Sequence, residues 1–455
     1  MANANLTHSH QIPLGKQVAY SSYQLGINML WYAFSTIAVF FYVTVLKVSA
    51  TEISYGMIVY GILNAFMNVL AGHWSDRTHT RLGRRIPYIL ASGLPFCLTF
   101  YFLFSPPAVS NDGLLLYFFL LTFLFDFCFT LAALNAGSLF PEMYQEEKSR
   151  AFVSALQQVF AIIGLILGVA LSKSLGESLG WSKVAALFAG IAFVSIYVSL
   201  YGSFERSGQT ESAFHLKEAV ASTFRNRRFL FFVSASFLIQ FSTTLCTSVS
   251  SFYTKYVVSM TGLQSSLFLG GIFIVAIPLS FLWARLAVKM TTAKAAFLAC
   301  ILYIFTSMAL VFDHAVWSVI LTGFMMGIPV SGFLVLLNIL LAEVIDHDAK
   351  LTGRRREGMY LGMNGFLVRL GLSLQYAVMA IFFSISGYNA HLSVQSVRTI
   401  WGFRLLIGGL PVVALLVSLI LLLAYQRLHN LAKLSDEATT LQSGHSNPLF
   451  YLHKQ

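Results

Sequence analysis

The chain has 455 residues, of which 57% are hydrophobic and only 10% charged, with a formal net charge of +11. Soluble domains carry roughly 25% charged residues, so this composition excludes an ordinary soluble fold and points to lipid as the missing interior. Its four cysteines lie in apolar runs without disulfide or metal-ligand spacing, and membrane-flanking loops account for the basic excess without a nucleic-acid partner.

In chain order, apolar runs of about 20 residues, each enough to cross a hydrocarbon core of ~30 Å, predict helices near 23–46, 53–73, 86–106, 113–140, 151–172 and 183–203. After a polar stretch at 204–228, six more follow near 229–257, 264–288, 292–313, 315–343, 358–386 and 401–426. The first twenty residues hold no apolar core of a signal peptide, so the first helix is expected to direct insertion itself. The expected organisation is an N-terminal tail 1–22, a six-helix bundle 23–203, a central loop 204–228, a second bundle 229–426 and a C-terminal tail 427–455. This is an all-α polytopic membrane protein, twelve transmembrane helices in two bundles.

An even count puts both termini on one side. The loops after even-numbered helices, with their helix ends, hold eighteen Lys and Arg, including Arg77, Arg81, Arg84, Arg85, Arg227, Arg228 and Arg354. The opposite loops hold six: Lys47, Lys173, Lys183, Lys255, Arg398 and Arg404. The positive-inside rule therefore predicts cytoplasmic termini, and anionic headgroups suit the basic loops. An integral multi-pass plasma-membrane protein, monomeric and in contact with lipid, is expected.

Weak internal correspondences fit two related halves. The fourth helix ends in Phe140-Pro141-Glu142 and the tenth in Leu341-Ala342-Glu343. Small residues at Gly164 and Gly168, and at Gly323 and Gly327, are spaced for close helix contact. The loop after the second helix, Gly72-His73-Trp74-Ser75-Asp76-Arg77 through Gly83-Arg84-Arg85-Ile86, places an acid and a tight basic turn at a helix end. Its arginines are positioned to pair with Glu142, Glu343 or Asp346 and so to latch and release the halves. A plain stop-transfer loop is the alternative.

Two ionisable residues lie deep in apolar runs: Asp126 in the fourth helix and Arg369 in the eleventh. A charge at the bilayer centre costs at least ~2.5–3.5 kcal/mol, so each is expected to face the interior or a cavity. A transport role and a structural pair between the two both remain open.

The basic loop just quoted, Tyr23-Gln24-Leu25-Gly26, Leu139-Phe140-Pro141-Glu142, Tyr253-Thr254-Lys255-Tyr256, Ala342-Glu343-Val344-Ile345-Asp346-His347-Asp348 and Thr352-Gly353-Arg354-Arg355-Arg356-Glu357-Gly358 together resemble the major facilitator superfamily. Within it the likeness is to the glycoside-pentoside-hexuronide:cation symporters, the melibiose-permease type with lysolipid-carrying relatives, over almost the whole chain. The resemblance implies a secondary transporter rather than an enzyme, moving a small polar solute such as a sugar or glycoside by alternating access, without a cofactor and with Na⁺ or H⁺ as the coupling ion. It also implies an altered ion site. The family's paired acids of the second helix correspond to Asn64 and Asn68, its first-helix acid to Asn28, and its fourth-helix acid to a position near Ala133. Loss of those charges weakens attraction for a cation and removes titratable groups. By the same correspondence Arg369 takes the place of a functional lysine and Gln158 roughly that of a substrate-contacting arginine. Asn28, Asn64, Asn68, Gln158 and Arg369 are therefore the expected substrate-binding residues, Asp126 the coupling candidate, and Gly72, Asp76, Arg77, Gly83, Arg84, Arg85, Glu142, Glu343 and Asp346 the cytoplasmic gate. A lysophospholipid or other amphiphile carrier and a cation-independent uniporter stay open beside the sugar symporter.

Overall fold

A computed structural model describes residues 12–78, 80–144, 146–205, 226–352 and 357–445. Among the described residues the helices form twelve rods. Helix α1 spans Leu14–Ser21 and Tyr23–Phe40 and ends in a π turn, Phe41–Val45. It is followed by α2 (Ala50–Arg77), α3 (Ile86–Leu103) and α4 (Asn111–Met143). Helix α5 runs Glu147–Ile166, a π turn Leu167–Leu171 and Ser172–Leu179, and α6 is Trp181–Gly202. The second set comprises α7 (Arg227–Tyr256), α8 (Gly262–Met290), α9 (Thr292–Phe312), α10 (Val316–Thr352) and α11 (Glu357–Ile385). Helix α12 spans Val397–Arg404, a π turn Leu405–Gly409 and Leu410–His445. Among the described residues, eleven helices contain a stretch apolar and long enough to cross a membrane.

The helix starts follow local chemistry. Asn226 caps α7 by accepting from the amides of Arg228 and Phe229. Thr261 and Gln264 form a reciprocal capping box on α8, satisfying donors that the first turn leaves orphaned. Several helices outrun the sequence expectation, among them α1, α10 and α12. Helix α1 begins at Leu14 rather than near 23, and Tyr20, fully buried, donates its hydroxyl to the Ala136 carbonyl. Helix α10 continues to Thr352 and α12 to His445. In each case the apolar run stops while the backbone hydrogen-bond ladder carries on.

Within the first bundle α1 packs on α5 and α6, and α3 on α4 and α6; within the second, α8 packs on α10 and α7 on α12. Small residues permit two of the closest approaches. A Cβ on Gly164 would lie 2.5 Å from the Leu25 carbonyl oxygen, and one on Gly168 2.5 Å from that of Met29. Gly323 and Gly327 give α10 the same proximity to the backbone of α8 at Phe268 and Ile272. Residues that permit backbones to touch are how helices gain contact where lipid offers no hydrophobic drive.

The bundles meet along α2–α11, α5–α8 and α1–α7. One end of the molecule, the basic face, carries Arg84, Arg85 and Arg227. At the far face the bundles are joined twice by hydrogen bonds: the hydroxyls of Thr44 and Tyr388 lie 3.3 Å apart, and Lys47 donates to the Ala390 carbonyl, while Tyr256 of the second bundle holds Tyr388 from behind at 3.2 Å. Phe40 of α1 meets Phe252 of α7 edge-on.

Candidate functional site

Three polar elements stand near the middle of their helices, where 1.5 Å per residue puts them about 20 Å from either end. Asp126 on α4 is fully buried and Asn64 on α2 is 1% exposed. The Asn64 amide donates to Asp126 Oδ2 at 2.5 Å and points toward the Tyr60 hydroxyl at 3.5 Å. Tyr60 lies close to Asp126, and from the other bundle Arg369 and Tyr376 of α11 act on the same carboxylate electrostatically. The cluster thus draws one acid and one amide from the first bundle together with one guanidinium from the second. Here the acid is buried and the base, Arg369, half-buried, and such a couple across a seam is balanced only while the seam stays closed.

Four oxygens around the acid lack a hydrogen-bond partner: Asp126 Oδ1, Asn64 Oδ1, Thr122 Oγ1 and Thr130 Oγ1. Thr122 and Thr130 stand four residues either side of Asp126, hence on one face of α4. Buried polar atoms are seldom left unsatisfied. Thr122 and Thr130 lie ~12 Å apart along α4 and so cannot share one ion, but Asp126 Oδ1 beside Asn64 Oδ1 is an oxygen pair with the donor chemistry of a hard cation such as Na⁺, and the carboxylate alone can take a proton.

The other expected substrate residues are placed separately. Asn28 donates to the backbone and side-chain oxygens of Gln24, both at 2.7 Å, on the same turn of α1. Gln158 is exposed on α5. The side chain of Asn68 lies outside the described residues, as do those of Gly72, Asp76 and Arg77. Among the remaining amides, Gln375 donates to Ser248 Oγ at 2.6 Å, joining α11 to α7.

At the basic face, Glu142 receives Arg84 at 2.6 Å and Arg85 at 3.1 Å, closing a bond between the loop before α3 and the end of α4. Glu343 is not shared in this way: it accepts from Thr292 at 2.5 Å and from Tyr425 at 3.4 Å, both in its own bundle. Asp346 is exposed. A further acid, Glu205, completes the cluster. Its carboxylate accepts the backbone amides of Arg84, Arg85 and Ile86 at 2.8, 2.7 and 3.1 Å, capping the first turn of α3 with negative charge where the helix dipole favours it. Gly83 makes the cap possible: its φ is +101°, and a Cβ there would sit 2.4 Å from the Glu205 carboxyl.

Glu205 has no place among the residues expected from the sequence, and Lys173, expected only as one of the six far-side loop charges, is a 2% exposed lysine at the far face. The legible signal for each was a charge at the edge of an apolar run. Cys97, Cys128, Cys246 and Cys300 are free and buried.

The sequence profile of the family described as MFS/sugar transport protein matches residues 19–426. The isoprimeverose transporter of Lactiplantibacillus pentosus is 24% identical over 445 residues, covering 93% of this chain and 91% of the relative. The glucuronide carrier protein homolog of Escherichia coli is 25% identical over 421 residues, 89% of this chain and 91% of the relative. Among solved structures, the nucleoside transporter NupG superposes with a TM-score of 0.65 at 15% identity, covering 90% of this chain and 98% of NupG. A bacterial homologue of the lysosomal transporter Spinster in an inward-facing, unoccupied conformation gives 0.67 at 15%, covering 90% and 96%. With two six-helix bundles enclosing a charged cluster at mid-depth, the chain belongs to the MFS/sugar transport protein family and is a secondary transporter of the major facilitator fold, not an enzyme.

Proposed function

We propose that this transporter carries a glycoside or related sugar by alternating access, coupled to a cation at Asp126, with both termini cytoplasmic. The observation that carries this reading is the mid-depth cluster, in which Asp126, Asn64 and Tyr60 of one bundle meet Arg369 and Tyr376 of the other. Ligands of carriers sit at the seam between repeats near the midplane, and an acid there gives a coupling ion a charge to neutralise. The unpartnered Asp126 Oδ1 and Asn64 Oδ1 supply its protein ligands, or Asp126 alone a proton's place. Arg369 offers a planar, multi-donor group to sugar hydroxyls or to a uronate. Asn28, Asn68 and Gln158 are proposed as further contacts, and Asn64, its amide donors turned to Asp126 and Tyr60, contributes its free carbonyl oxygen. The names of the isoprimeverose and glucuronide relatives favour a glycoside over a nucleoside or an amphiphile.

At the basic face, the bond of Glu142 to Arg84 and Arg85 and the cap by Glu205 hold the loop against the first bundle. The proposed partners across the seam are Gly72, Asp76, Arg77 and Gly83 of this loop and Asp346 and Glu343 of the second bundle. That contact is the proposed cytoplasmic gate.

The test is uptake by proteoliposomes of isoprimeverose, a glucuronide, a free hexose and a lysophospholipid, with and without Na⁺ or pH gradients. Gradient-driven uptake of a glycoside, lost in Asp126→Ala, is the expected result. Gradient-independent flux unaffected by Asp126→Ala would establish a uniporter, and uptake of the lysophospholipid alone an amphiphile carrier.

A further inference from the structure

Lys173 extends from α5 across the seam into the second bundle at the far face. Its ammonium donates to the Ser251 carbonyl at 3.1 Å and the Thr254 hydroxyl at 2.9 Å on α7, and to the Ser265 hydroxyl at 3.4 Å on α8. Phe40 of α1 turns its ring to the same ammonium, 5.0 Å away. The Thr254 hydroxyl directs its own hydrogen at the Ser251 carbonyl, 3.4 Å away, so its lone pair is left for the lysine. Three donors therefore meet three acceptors, as an ammonium requires.

Every atom that the ammonium touches is neutral. The charged groups that face it are Glu177, one turn further along α5, and Lys255 of α7, which act at longer range and with opposite signs; Lys47 stands behind Lys255. Among the described residues no carboxylate lies within ion-pair distance of Lys173. Contact here is close: a Cβ on Gly262, at the start of α8, would come within 2.8 Å of Glu177 and 3.0 Å of the Ser174 backbone.

A buried cation served only by dipoles and a ring is balanced with little to spare, because desolvation is opposed by a few hydrogen bonds and no counter-charge. When α5 parts from α7 and α8, those bonds are lost together and water replaces them.

We propose that Lys173 sets the open–closed balance of the far-side gate, closing it only when the acceptors from α7 and α8 are all in place and favouring reopening through its own hydration. The proposal rests on the alternating-access reading. It predicts an asymmetry that simple packing does not. Removing acceptors strands the charge and opens the gate, whereas removing the charge relieves its desolvation and holds the gate shut.

The experiment uses the full chain in lipid nanodiscs, spin-labelled at Ser178→Cys and His391→Cys, exposed positions on opposite bundles, with pulsed dipolar distances as the readout. The Thr254→Val, Ser265→Ala pair is expected to raise the long-distance population relative to the short one by at least about tenfold, the order set by lost hydrogen bonds to a charged group. Lys173→Met alone is expected to deplete the long-distance population, and adding it to the acceptor pair to restore the short distance. Opening caused by Lys173→Met, no opening by the acceptor pair, or no restoration in the triple variant overturns the proposal. Should Lys173→Met fail to give monodisperse protein, the acceptor pair alone still decides the matter. A wild-type distance that no transported solute changes counts instead against alternating access.

Discussion

Replacing Asp126 with asparagine leaves the Arg369 guanidinium near the bilayer centre without its acid. Asp126 is fully buried and Asn64 is 1% exposed, while Arg369 itself is half-buried, so water screens the loss only in part. An uncompensated charge at this depth costs ~2.5–3.5 kcal/mol on insertion scales, and we expect Asp126→Asn to destabilise the protein by about 3 kcal/mol. Arg369→Gln costs less, about 1 kcal/mol, since the Asp126 carboxylate, unlike the guanidinium, can shed its charge by taking a proton and keeps its bond to Asn64, then a neutral hydrogen bond worth about 1 kcal/mol. If the sites were independent, the double variant would lose about 4 kcal/mol. Because it has no charge left to strand, we expect about 2 kcal/mol, a coupling of roughly 2 kcal/mol, well above the additivity scatter of ~0.5 kcal/mol. The assay is unfolding of all four proteins in one detergent, followed by intrinsic fluorescence. Additive losses within that scatter would refute the mid-depth pair as a unit joining the bundles.

Glu205→Gln should weaken the cap on α3 by about 1–2 kcal/mol, the usual worth of a helix cap, read as a lower unfolding midpoint; an unchanged midpoint would remove Glu205 from the basic cluster. Gly164→Leu should abolish monodisperse expression, because the space at that Cβ is already occupied by the α1 backbone. Gly190→Ala, where a Cβ meets nothing within 4 Å, should express as the wild type. Glu142→Gln should loosen the basic turn and raise proteolysis between α2 and α3, while leaving the far-face distances unchanged.

The rods themselves are readable from the sequence because the feature that inserts a helix, an apolar run of fixed length, is local. Their ends are less so. Leu14–Ser21 and the stretch 427–445 are helical without being apolar enough to register. The Glu142–Arg84 bond follows from two motifs whose charges demand partners. Glu205 bonds an amide 120 residues away and Lys173 a hydroxyl 81 residues away, and neither distance is encoded in any spacing. Asn64 is instructive: a family position read as part of the pocket, it has committed its amide donors to Asp126 and Tyr60, a pairing visible only once α2 and α4 are side by side.

Alternating access is tested most directly by chemical reach from the two faces. Ser251 Oγ is buried and makes no hydrogen bond, so Ser251→Cys should be silent, and the four native cysteines are buried. A membrane-impermeant maleimide applied at the far face should label Ser251→Cys slowly, and Gln158→Cys should react readily from the basic face. A transported glycoside should change the two rates in opposite directions. Rates that stay fixed with every transported solute, or that rise together, would contradict a carrier that opens to one side at a time.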